Sequence, residues 1–367
     1  MSMLHVPKSF IVLMAFAVAA CGAVSKLPEI DQAVAEEEAQ KQREMAIEEN
    51  EYNRSRAHRI GFKIFIANAE LCQKTKFSMG ARLAYWREQD DEFIDALKNV
   101  YGLKAHAKFI QVPQDSPAWK SGLRKGDEVV AIDGENVPSD GKKVFRWTTK
   151  KLSELTKAGK SYTITINRDS AEKIINAAPE KVCDFPIVVN KKDEVNAYAD
   201  GERILLSVGM MRFTRNDNEL ALILGHELAH NTMLHVQKGS GNRMAGAVVG
   251  ALIGALLGVN LTQAGADLGG AVNSQDFEAE ADYVGLYYAA RAGFDVSDVA
   301  KLWRRMAANH PAAIHLAGST HPSTAKRFVA IEKTWEEIKP KKKKNKPLTP
   351  EKAEEKPQQK PTEENPS

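Results

Sequence analysis

Apolar and polar positions change their pattern several times along the chain. Behind Lys8, the residues Phe10 to Val18 form one unbroken apolar run. From residue 26 to about 58 the pattern reverses: Glu, Ala, Gln and Arg dominate, with no Gly and one early Pro. That composition predicts a helix with most of its surface solvated. Between about 98 and 170 the period shortens to two. Strands are predicted at Phe109 to Val112, at Glu128 to Ile132 before the turn Asp133-Gly134, and at Tyr162 to Arg168. A helix over 143–157 lies between them. From about 184 to 336 the reading is mostly helical, with a strand at Arg203 to Val208 and helices at 217–236, 274–291, 296–308 and 323–338. From Lys339 onward Lys, Pro, Glu and Gln cannot build a core, so the segment 339–367 is expected to be disordered or solvated, its lysines available to an anionic lipid surface. The fold class is α+β, a small β-rich domain set ahead of a larger helical one.

The first apolar run is too short for a membrane span and leads into small residues, so residues 1–20 read as a signal peptide. Val18-Ala19-Ala20-Cys21-Gly22 resembles a bacterial lipobox, which implies a lipid on Cys21 and attachment to a membrane without a spanning helix. The other reading is a signal peptide cut near Ala20. Residues 21–58 then form a helical spacer, or pack on the folded body at their far end. Residues 59–97 read as a helical first part of the catalytic domain. The 367 residues suffice for two domains and tails. A hydrophobic share of 43% and a formal charge of +3 describe an ordinary globular protein and give no case for a nucleic-acid partner. With Cys21 lipidated, Cys72 and Cys183 remain. In an oxidising compartment they form a disulfide or stay as two buried thiols.

The chemistry concentrates in His226-Glu227-Leu228-Ala229-His230, within a helical apolar stretch. Residues four apart share one helix face, about 6 Å along the axis, so two imidazoles can reach one zinc ion. Glu227, beside a ligand, can approach a reacting water instead of the metal. A third ligand is required. In Phe277-Glu278-Ala279-Glu280-Ala281-Asp282, Glu278 and Asp282 share a helix face, while Glu280 points away from both. Glu278 is the candidate ligand, and Asp282 the candidate hydrogen-bond partner for the outer nitrogen of a histidine. His235, His310 and His315 have no matching role and read as surface or packing residues.

Two resemblances organise these readings. Ser116-Pro117-Ala118, Ser121-Gly122-Leu123, Gly126-Asp127 and Ile132-Asp133-Gly134 resemble a PDZ domain of the protease-associated type, spanning 98–172. This implies binding of extended peptides or of polypeptide C-termini, with Tyr101-Gly102-Leu103 as a candidate carboxylate-binding turn. The run from Asn196 to Gly201, the histidine motif, the Glu278 to Asp282 segment, and Thr320-His321-Pro322 with Arg327 resemble metallopeptidase family 48, the gluzincins related to HtpX and the CAAX prenyl endopeptidase. The resemblance covers about 190 to 335, inside a helical zinc domain at 184–338. It implies one zinc ion held by His226, His230 and Glu278, and Glu227 as the base. It further implies His321 as a regulatory fourth ligand and Arg327 as a stabiliser of the developing oxyanion.

Gly246, Gly250, Gly254 and Gly258 recur every fourth residue in a segment with no charge between Arg243 and Asp267. A single membrane crossing there would put the histidines and Glu278 on opposite sides of a bilayer. The segment is therefore a lid, a membrane contact, a partner site or tight internal packing. The expected function is a lipid-anchored zinc endopeptidase of the periplasm, held at the outer membrane in preference to the inner. It would act on misfolded or envelope polypeptides. The alternative is an envelope chaperone or adaptor with a self-inhibited zinc site.

Overall fold

The computed structural model describes residues 28–85, 91–141, 143–257, 259–271, 274–309 and 325–351. The expected signal peptide, Cys21, His310, His315, His321 and the end of the tail lie outside the described residues. The molecule divides into two compact units between Gln42 and Arg43. Of the first, the described part is the exposed start of α1 (Gln32–Ala67), with Glu37 and Lys41 ion-paired one turn apart.

The second unit begins with the rest of α1, whose Ala57, Ile60, Ile64 and Phe65 turn into a core. No break occurs at residue 58; the apolar positions simply start near there and the helix continues. Next come β1 (Thr75–Ser78), β2 (Arg82–Ala84), α2 (Ile94–Tyr101), β3 (Lys108–Gln111), α3 (Pro117–Lys120), β4 (Glu128–Ile132), β5 (Glu135–Asn136), α4 (Val144–Lys157), β6 (Tyr162–Arg168) and β7 (Ala171–Ala177). Strands β2-β3-β4-β6-β7 form an antiparallel sheet in that order, with β5 on β4. The period of two in β6 turns Tyr162, Ile164 and Ile166 inward, against Phe109, Val129 and Val144. Buried Asp127 accepts from Nε and a terminal nitrogen of Arg168 at 2.6 and 2.7 Å, pinning the turn before β4. The β-rich domain therefore starts well before residue 98. Residues 75–84, expected to be helical, hold two strands, each too short to show a period.

The larger body follows with β8 (Glu180–Cys183), β9 (Ile187–Asn190), β10 (Ala197–Ala199), β11 (Ile204–Ser207), α5 (Val208–Phe213), α6 (Asp217–Thr232), α7 (His235–Leu257), α8 (Thr262–Ala271), α9 (Ser274–Arg291), α10 (Val299–Asn309) and α11 (Ala325–Lys343). One core joins α1, Leu220, Ile223 and Leu224 of α6, Tyr287 and Tyr288 of α9, Trp303 of α10 and Ile331 and Ile338 of α11. Asn216 caps α6 by accepting from Glu219 N. Arg56 of α1 donates to Asn216 O, Met211 O and Asp217, and so fixes where α6 begins. The sheet β10-β11-β9 lies against α6, and Asn231 ties its hairpin down by bonding Gly201 N and Arg203 O.

Two expectations need correction. The chain does not leave the fold at Lys339. α11 runs to Lys343, Lys341 bonds Tyr287 and Glu337, and Leu348 O accepts from Arg291. Short-range composition hides these contacts because α9 supplies most of the partners. Nor is the glycine-spaced segment packed inside; α7 and α8 form an exposed hairpin.

Cys72 and Cys183 are disulfide-bonded, with Cα atoms 5.5 Å apart and a sequence separation of 111. The bond clips the segment between α1 and β1 to β8, which pairs antiparallel with β1. Closing so long a loop restricts the unfolded polypeptide, and replacing both cysteines by alanine is expected to lower the unfolding free energy by about 4–5 kcal/mol. Urea unfolding followed by circular dichroism checks this; a loss well under about 1 kcal/mol would contradict it.

Candidate metal centre

Helix α6 carries His226, Glu227 and His230, and α9 crosses it carrying Glu278 and Asp282. The helices touch backbone to backbone. A Cβ on Gly225 would stand 2.4 Å from Gly285 O, and one on Gly285 would stand 2.6 Å from His226 N. Only glycine at both places lets the crossing close this far, and His226 is the next residue along.

The crossing brings three donor groups together. Nε2 of His226 and Nε2 of His230 are 3.1 Å apart. Glu278 Oε2 is 3.5 Å from His226 Nε2, and its Oε1 is 3.3 Å from His230 Nε2. Ligands bonded at about 2.0–2.1 Å to a tetrahedral ion stand roughly 3.3–3.4 Å from one another, so this set fits a zinc ion. His226, His230 and Glu278 form a buried group able to hold a metal. Charge agrees with the donor set. Glu227, Glu278 and Asp282 are all buried beside the buried cation of Arg327, which leaves two negative charges for a dication to balance.

Each candidate donor is held from behind. Asp282 Oδ1 lies 3.0 Å from His226 Nδ1, which turns Nε2 toward the site. Burial alone would push the His226 imidazole down, but hydrogen bonds and charge from Asp282 and Glu278 outweigh it. They raise the group to about 10 when no cation competes. Burial dominates at His230 and lowers it. Burial opposes the charged form of Asp282, yet bonds from His226 and Arg327 hold its carboxyl below the usual range.

The sequence reading assigns Arg327 to the oxyanion. The structure gives its guanidinium to the carboxylates instead: Nε and one terminal nitrogen reach Asp282 at 2.7 and 2.8 Å, and the other reaches Glu278 at 3.0 Å. It fixes the acidic helix. Glu227 is buried among these groups.

The reading of His235 also changes. It is buried, its Nδ1 is 3.0 Å from His230 Nδ1, and its Nε2 is 2.7 Å from Glu280 Oε2. Phe277 stacks on its ring at 4.6 Å. A metal-binding Nε2 on His230 leaves the proton on Nδ1, which donates to His235 Nδ1; His235 then donates from Nε2 to Glu280. Glu280 points away from Glu278 and Asp282, as its helical position requires, but toward a histidine that serves the site. The five-residue spacing from His230 fits no helical face. It works because Leu234, at φ 59, breaks the helix between α6 and α7. The spacing is visible in the sequence; the break is not.

Tyr101-Gly102-Leu103 does not form an open carboxylate turn. Gly102 is the left-handed cap of α2, and the amides of Gly102 and Leu103 already donate to Asn99 O and Lys98 O. The Tyr101 hydroxyl bonds Glu51 of α1.

Two helix-borne histidines and a distant glutamate, converging in a helical body beside a small β-rich domain, form the donor set of a metal-dependent peptidase. Residues 168–335 match Peptidase family M48, and residues 109–168 match the PDZ domain. The helical body thus matches that peptidase family, and the PDZ match lies ahead of it in the chain. It is 31% identical to the mitochondrial metalloendopeptidase OMA1 of Schizosaccharomyces pombe over 36% of this chain and 41% of the relative. It is 28% identical to the beta-barrel assembly-enhancing protease of Yersinia pestis over 34% of this chain and 28% of the relative. The match thus spans less than half the length of these curated relatives. A solved HtrA3 PDZ domain with a phage-derived ligand aligns with 29% of this chain and 88% of its own, at 18% identity and a TM-score of 0.22.

Two measurements test the centre. His235→Phe and Glu280→Gln are expected each to weaken zinc binding by about 10–100-fold in chelator competition while leaving the fold intact. An unchanged affinity in both would remove this histidine relay from the site. Zinc affinity is also expected to rise with pH by up to about tenfold per unit through the neutral range. A cation must displace the proton that His226 keeps below about 10, and each step down in pH makes that displacement harder. A flat profile between about pH 6 and 8 would contradict it.

Proposed function

We propose that this protein is a zinc-dependent endopeptidase of the bacterial cell envelope that cuts extended segments of misfolded or envelope polypeptides. The observation that carries the reading is the spacing of 3.1–3.5 Å among the donor atoms of His226, His230 and Glu278, with Glu227 beside them. Zinc bound there would acidify a water molecule and polarise a peptide carbonyl. Glu227 takes the proton of the attacking water and delivers it to the leaving amine. Asp282 and Arg327 hold His226 and Glu278 in register through these transfers. His321, within a Thr-His-Pro motif that resembles regulated family members, would supply a fourth ligand that keeps the site closed.

The envelope assignment rests on several supports. The Cys72–Cys183 bond belongs in an oxidising compartment. The lipobox-like Cys21 would tether the protein on the periplasmic side, at the outer membrane. Relatives named for β-barrel assembly point to substrates of that class. The PDZ domain would take polypeptide C-termini at β2, the outermost strand of its sheet, next to the α4 face where Phe145 meets Tyr85.

The decisive experiment uses the purified, zinc-loaded full-length protein and unfolded casein. Glu227→Gln is expected to keep its zinc and lose about 100-fold or more of the cleavage rate, and His321→Ala to raise it several-fold. Cleavage that survives Glu227→Gln would sink the peptidase reading; envelope function surviving without cleavage would favour an adaptor.

A further inference from the structure

The hairpin of α7 and α8 has no use in the chemistry above, yet it carries a cluster of exposed large apolar side chains. Met244, Leu252 and Leu268 are 70%, 65% and 70% exposed, and Val248, Val249, Ile253 and Val259 are exposed with them. No charged residue lies between Arg243 and Asp267. Those two form an ion pair of 3.5 Å between the helices.

The glycine stripe explains how the two helices hold together. A Cβ on Gly250 would meet Leu261 O at 2.3 Å, and one on Gly254 would meet Val259 O at 2.4 Å. These glycines are therefore used up inside the hairpin, where they let the second helix press on the first. Around the rest of α7 beyond Arg243 the apolar residues are spread over the helix surface instead of gathered on one side. A helix that is apolar all round belongs in apolar surroundings. A protein partner would cover one face and leave the opposite one in water. Lipid tails would cover all of them. Close packing through small residues is also how helices associate where no hydrophobic force drives them together.

We propose that this hairpin inserts into one leaflet of a lipid bilayer, with the Arg243–Asp267 pair at the level of the headgroups. No helix among the described residues is long and apolar enough to cross a membrane. The stretch from Arg243 to Leu257 rises about 21 Å, more than one leaflet and less than a full hydrocarbon core of roughly 30 Å. Polar groups at its far end, Asn260, Thr262 and Gln263, have partners within the hairpin, Asn260 Oδ1 accepting from Thr262 N and Gln263 bonding Asp267. Their remaining polar capacity makes a tilted, re-entrant placement better than an upright one. The insertion would hold the metal centre near the membrane surface. His235, which touches His230, starts α7 and lies about 12 Å along the helix from Arg243.

The test places a photo-reactive benzoylphenylalanine at Val248 or Leu252 of the full-length protein, with Lys333 on the exposed face of α11 as control. The protein is mixed with vesicles of phosphatidylethanolamine and phosphatidylglycerol, irradiated, and its adducts identified by mass spectrometry. Because any lipid on Cys21 tethers all three proteins alike, only contact at the labelled position differs. Lipid adducts at Val248 and Leu252 and none at Lys333 are expected. Leu252→Asp with Ile253→Asp should abolish the adduct at Val248, while zinc content and the Cys72–Cys183 bond stay as they were. Adducts to a second copy, or lipid adducts no stronger than at Lys333, would overturn the proposal. The readout is contact, not turnover, so it stands or falls apart from the peptidase reading.

Discussion

The contact of α6 and α9 at Gly225 and Gly285 governs the geometry of the whole site. Two helix backbones in contact leave no room for side chains between them, so the residues flanking the crossing must meet. Those residues are His226 on one helix and Glu278 and Asp282 on the other. The crossing thus buries three carboxylates and two imidazoles, an arrangement that costs several kcal/mol per charge unless each is paired. Arg327 offsets part of this from α11, and the remaining negative charge suits a dication. The aromatic wall of Trp303, 5.2 Å from the His226 ring, completes the enclosure.

The surrounding architecture keeps that crossing in place. α1 runs alongside both folded parts: Arg56 binds the start of α6, and little more than one turn earlier Glu51 takes Arg82 of β2 at 2.8 Å. The edge of the PDZ sheet and the beginning of the histidine helix are therefore bonded to neighbouring turns of the same helix. The disulfide anchors the segment between α1 and β1 to the strand that leads into the catalytic sheet. Asn231, immediately after the second histidine, fixes the β10–β11 hairpin to the site.

Much of this is legible in the amino-acid order wherever the physics is local. A period of two is enough to write β6. A helical face is enough to pair His226 with His230 and Glu278 with Asp282. A cluster of Gly, Pro and Asp is enough to place the turns of the PDZ domain. The reading fails where a partner comes from far away. Arg327 reads as a group for the substrate, but Asp282 holds it. Gly102 and Leu103 read as part of an open turn, but α2 uses their amides. His235 reads as idle because its partnership with His230 needs a helix break that Leu234 makes with unfavourable backbone geometry.

Which residues can bind a metal, and on which helices they sit, follows from the order of amino acids, because ligand type and helical spacing are properties of short segments. How closely those helices approach, which cation faces which carboxylate, and which nitrogen of each histidine is left for the metal were settled in three dimensions. Those outcomes depend on excluded volume and on competition among buried charges, and both are set by groups far apart in the sequence or brought in from a third helix.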